Sequence, residues 1–61
     1  MPIVQIEMRA GKTLDQKREM VKNITDGIVS ALKCSPDAVT IIIRDMSKES
    51  YAKAGKLDCD Q

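Results

Sequence analysis

The nitrogen of Pro2 is the group in this chain best suited to moving protons. Pro2 follows Met1 and precedes an apolar, strand-like run, Ile3-Val4-Gln5-Ile6-Glu7-Met8. Removal of Met1 turns that nitrogen into a secondary amine at the end of a strand. Such an amine acts as base, acid or nucleophile, and no internal side chain offers the same group. The sequence has no histidine, the usual residue for proton transfer near neutral pH. Pro2 also has a purely structural use, because proline is tolerated where a strand begins. If Met1 is retained, Pro2 is an amide and cannot act as a base.

An amine of this kind needs a rigid mount, and the chain has little material to build one. Its 61 residues make one domain, residues 1–61. A domain of this size buries only about 60% of the surface its unfolded chain exposes. Small domains are usually completed by disulfides, a metal or partner subunits. Cys34 and Cys59, without histidine or a CxxC pair, are too few for a closed zinc site, and no metal is expected. No apolar signal stretch precedes the fold, so two free thiols in a cytoplasmic protein are expected. Partner subunits remain as the source of extra burial. Ten Lys and Arg against nine Asp and Glu leave a net charge of +1, and Tyr51 is the only aromatic. That balance argues against nucleic acid, which calls for a basic face with stacking rings. No run approaches the roughly 18 apolar residues of a membrane span.

The elements follow from periodicity. In residues 3–8, Val4, Ile6 and Met8 share one face and Ile3, Gln5 and Glu7 the other, which predicts a strand. Gly11 is suited to a turn with positive φ. Thr13-Leu14-Asp15-Gln16 fits a capping box, and a helix is predicted from Leu14 to Leu32. Its apolar stripe is Leu14, Met20, Val21, Ile24, Ile28, Ala31 and Leu32, with Lys17 snorkelling inside it. Pro36 bars continuation of the helix, and Ser35 is placed to cap a single turn. Val39 to Met46 is β-branched and apolar on both faces in its middle, the pattern of a parallel strand buried on both sides. Glu7 and Asp45 read as solvated charges at strand ends, and Met8, Met20 and Met46 as core filler. Ser47 to Gln61 is polar and predicts a turn followed by a short hairpin or arm. The fold class is therefore α/β, a single β-α-β unit with parallel strands. Two strands and one helix leave a sheet face open to water, so the unit must be completed by oligomerisation.

These segments together resemble the 4-oxalocrotonate tautomerase family, nearly end to end. Pro2-Ile3-Val4-Gln5-Ile6 resembles its opening strand, and Gly11-Lys12-Thr13 with Asp15-Gln16-Lys17 its turn into the helix. Ile41-Ile42-Ile43 with Asp45-Met46 resembles its second strand, and Tyr51-Ala52-Lys53-Ala54-Gly55-Lys56 its C-terminal segment. The resemblance implies a cofactor-independent enol–keto tautomerase (an isomerase) that acts on 2-hydroxymuconate-like dienols from aromatic breakdown or related 2-oxo acids. It implies a homo-oligomer, a dimer at least and usually a hexamer built as a trimer of dimers. By that likeness Pro2 is the general base and acid. Lys12 stands where the family has a carboxylate-binding arginine, without the planar fork of a guanidinium. Tyr51 matches an aromatic of the pocket wall. A second family arginine, donated across a subunit boundary, falls on Thr40. Arg44, on the same strand face, and Arg9 are the candidates to stand in for it. The absent arginine favours an enol monoacid such as phenylenolpyruvate over a diacid. Two other readings accompany this one: a dehalogenase-like relative with protonated Pro2 as general acid, and a non-catalytic oligomerising module.

Overall fold

The computed structural model describes all 61 residues. Strand β1 (Ile3–Arg9), helix α1 (Leu14–Leu32) and strand β2 (Thr40–Met46) follow in order, and a hairpin of β3 (Ala52–Lys53) and β4 (Lys56–Leu57) follows them. β1 and β2 run parallel, with Ile3 opposite Thr40 at one end and Arg9 opposite Met46 at the other. The β-α-β unit and the C-terminal hairpin agree with the sequence reading.

Local chemistry sets the boundaries. Thr13 has extended backbone angles. Its Oγ1 accepts from the Gln16 N–H at 3.1 Å, while Gln16 Oε1 accepts from the Thr13 N–H at 2.9 Å. That reciprocal pair satisfies donors that a helix start leaves orphaned. Helix α1 ends at Lys33, which takes the left-handed region at φ 58° and donates its N–H to the Val29 carbonyl. The Ser35 hydroxyl then accepts from the Asp37 N–H and caps a single 3-10 turn, Pro36–Ala38.

The half-buried residues form one apolar seam between helix and sheet. Val4, Ile6 and Met8 supply it from β1, Ile41 and Ile43 from β2, and Met20, Val21, Ile24 and Ile28 from α1. Leu14, Ala31 and Leu32 lie outside it, contrary to the predicted stripe; Leu14 and Leu32 are more than 60% exposed. A 19-residue helix is about 28 Å long, and a seven-residue strand only about 23 Å, so the helix ends overhang the sheet. Lys17 does not snorkel to water: its Nζ donates to Asp45 Oδ2 and ties α1 to β2. Asp45 is thus a helix anchor rather than a free strand-end charge. Glu7 is likewise paired, with Arg44 on the opposite sheet face at 2.8 Å.

No residue of the protomer is fully buried. Its accessible surface is 4795 Å², against about 4000 Å² for a compact protein of this mass. Its radius of gyration is 14.8 Å, where a compact chain of this length has about 10.5 Å. The sheet face away from α1 carries Ile3 and Ile42 at 62% and 37% exposure. A single chain therefore leaves the outer sheet face uncovered and buries no residue fully.

Candidate active site

Pro2 sits immediately before β1 and is half-buried. Its carbonyl accepts from the Thr40 N–H at 3.0 Å, which ties the Pro2 backbone to β2. Met1, by contrast, is 92% exposed and packs on nothing. Thr40 is the immediate neighbour of Pro2 across the sheet.

The cations gather at the opposite end. The Ala10 N–H donates to the Met46 carbonyl and extends the pairing by one rung. Gly11 then turns the chain at φ 122°, a conformation open to glycine. Arg9 lies over the ring of Tyr51, 4.5 Å from its centroid, and reaches Asp58 at 3.5 Å. Two backbone bonds hold the C-terminal segment against this end, Asp58 N–H to Tyr51 carbonyl at 2.7 Å and Cys59 N–H to Lys48 carbonyl at 3.1 Å. Lys12 is exposed, has no carboxylate partner, and borders a cavity of about 170 Å³ with Met8, Gln16, Lys17 and Met20. Arg44 points its guanidinium at Glu7.

The four residues singled out from sequence are not brought together within one chain. Counting along β1 from Pro2, the rung of Glu7 and Arg44 lies about 17 Å away and that of Arg9 about 23 Å away. Tyr51 and Lys12 gather at the far end, and Arg44 is committed to an ion pair. Sequence reasoning missed Asp58 altogether. Its contact with Arg9 joins positions 49 apart, and no local pattern announces it.

Residues 2–58 match the family model of the tautomerases, described as tautomerase enzyme. The chain belongs to the tautomerase family. Among its relatives, the 2-hydroxymuconate tautomerase of Bacillus subtilis is 36% identical over 56 residues, 92% of this chain and 90% of the relative. Among solved structures, a 4-oxalocrotonate tautomerase isozyme of Methylibium petroleiphilum superposes with a TM-score of 0.86. It is 36% identical and covers 97% of this chain and 92% of its own. A heterohexameric 4-oxalocrotonate tautomerase of Chloroflexus aurantiacus has a TM-score of 0.84 at 20% identity, covering 98% and 97%, a likeness of fold. The chain is thus a tautomerase of the 4-oxalocrotonate tautomerase type. No helix of this tautomerase is long and apolar enough to cross a membrane.

Proposed function

We propose that this tautomerase ketonises 2-hydroxymuconate-like dienols or related 2-oxo acids, with the Pro2 amine, freed of Met1, as base and acid. The neutral amine takes the enol proton from oxygen, and the resulting ammonium returns a proton to carbon. The net change is an isomerisation, with nothing oxidised or reduced. The observation that carries this reading is the asymmetry at the chain start. The Pro2 carbonyl is pinned by Thr40 while Met1 is almost wholly exposed. Loss of Met1 uncovers the amine and leaves the carbonyl bond of Pro2 in place.

The amine must be neutral to act as base, yet an ordinary α-amino group titrates near about 7.7–8.0. An apolar pocket and nearby cations both disfavour the ammonium. Cations also hold the substrate carboxylate and stabilise charge that grows on the enolate oxygen. In this reading Lys12 binds the carboxylate, Tyr51 lines the pocket and Arg44 is the secondary cation. Because a chain's own Pro2 and cations stand at opposite ends of the sheet, each site combines residues of different protomers. The unburied sheet face supports a homo-oligomer, with a dimer as minimum and a hexamer built as a trimer of dimers as the assembled form.

The test pairs intact-mass analysis with an ultraviolet ketonisation assay on 2-hydroxymuconate and phenylenolpyruvate. Met1-free protein is expected to ketonise at least one of them, and acetylation of its amine to cost about 10²–10⁴-fold. Met1-free protein that changes neither spectrum would overturn the reading.

A further inference from the structure

Residues 47–61 carry Tyr51 and the hairpin, and few polar contacts tie them to the rest of the chain. The backbone bonds from Asp58 to Tyr51 and from Cys59 to Lys48 join residues of the segment to one another. So do the contacts of Ser47 with Ser50 and of Gln61 with Lys56. Arg9 alone reaches across. Its guanidinium lies 4.5 Å from the centroid of the Tyr51 ring. Its ion pair with Asp58, at 3.5 Å, is the only hydrogen bond or ion pair between residues 47–61 and residues 1–46. Asp58 is the more shielded partner, with a side chain 19% exposed against 62% for Arg9. A carboxylate drawn in from water needs a counter-charge, and no cation but Arg9 pairs with it. The hairpin has no strong hold of its own, since Ala54 takes φ 55° and Lys53 faces Lys56 across it.

We propose that Arg9 and Asp58 are positioning residues, which together clamp the C-terminal segment to the end of β1 and hold Tyr51 as a wall of the substrate pocket. The pocket rests on the tautomerase reading above; the clamp stands on the contacts just described. A guanidinium over one face of the ring leaves the opposite face to line the pocket. Arg9 thus acts through Tyr51. With Arg9 roughly 23 Å from the Pro2 of its own chain, the wall it holds serves the Pro2 of a neighbouring protomer.

The kinetic test is a double-mutant cycle on the assembled protein, with phenylenolpyruvate as substrate. Arg9→Ala is expected to raise KM about three- to ten-fold and to leave kcat within about two-fold, because a loosened wall weakens binding in ground and transition state alike. Asp58→Asn removes the charge and keeps the shape, and is expected to raise KM about two- to three-fold. Arg9→Lys is expected to recover part of the loss, since an ammonium also pairs with ring and carboxylate. In a Tyr51→Ala background, Arg9→Ala is expected to add less than about two-fold, because the residue it positions is gone. A full, additive loss in that background, or an unchanged KM in Arg9→Ala, would overturn the proposal.

A second measurement needs no turnover. Tyr51 is the only aromatic residue, so intrinsic fluorescence reports on the ring under Arg9. Acrylamide is expected to quench it about two-fold more steeply in Arg9→Ala and Asp58→Asn than in wild type at the same protein concentration. Trypsin is expected to cut after Lys48, Lys53 or Lys56 roughly three-fold faster or more in both variants. Inactive wild-type protein whose variants show both changes would sink the dienol reading and keep the clamp. Active protein whose quenching and proteolysis ignore Arg9 and Asp58 would do the reverse.

Discussion

The Thr40 N–H donates to the Pro2 carbonyl, and that contact makes the neutral character of position 40 testable. A cation beside an amine disfavours its protonated form. Thr40→Arg is therefore expected to move the acidic limb of the kcat/KM–pH profile to lower pH, because the base stays neutral further into acid. An unmoved limb would mean that position 40 does not face the working amine. Lys12→Ala is expected to raise KM or lower kcat for an enol acid, and unchanged kinetics would remove Lys12 from the site. Pro2 stands out in the sequence because the chemistry open to it depends on its place in the chain, and that place is written in the order of residues. The Arg9–Tyr51–Asp58 cluster was not legible as a unit. It forms only when the C-terminal segment folds back on the end of the sheet, through backbone bonds that any residues can make.

Elements were legible where their signals are local. The Thr13–Gln16 capping box, the Ser35 cap and the alternation in β1 each depend on residues within a few positions, and each formed where expected. The helix stripe was less legible at its ends, because a period cannot tell how far the opposing strands reach. The hairpin turn shows the same limit. Ala54 and Gly55 both have positive φ, 55° and 82°, the pattern of a type I′ turn that favours Asn-Gly. Alanine in that region costs roughly 1–2 kcal/mol, and Lys53 faces Lys56 across the same hairpin, a like-charge pair that also opposes closure. Ala54→Asn is expected to stabilise the protein by roughly 0.5–1 kcal/mol. Thr13→Ala is expected to cost about 1 kcal/mol through loss of the cap. Urea denaturation at one fixed protein concentration checks both, since assembly makes stability depend on concentration.

For the molecule as a whole, the protomer's lack of any buried residue outweighs the details of its elements. Ile42→Lys places a charge on the apolar outer face of the sheet. It is expected to dissociate or unfold the protein at micromolar concentration, read by sedimentation velocity; a folded, unchanged assembly would show that this face is not the one covered. A composite site also predicts complementation. Amine-acetylated protomers mixed with Lys12→Ala protomers should regain activity, with about a quarter of sites intact if exchange is random. Recovery no greater than the sum of the two inactive parents would place Pro2 and Lys12 in one chain's site. The β-α-β order, its parallel sense and the need for partners were legible from two strands and one helix that could not cover each other. The distance between Pro2 and the cations of its own chain was not legible, because strand length in space, not sequence proximity, decides it. The separation of roughly 23 Å between the amine and Arg9 has a final consequence for turnover. Dilution below the dissociation constant of the assembly is expected to lower activity per protomer and to introduce a lag on reconcentration, read by the ultraviolet ketonisation assay.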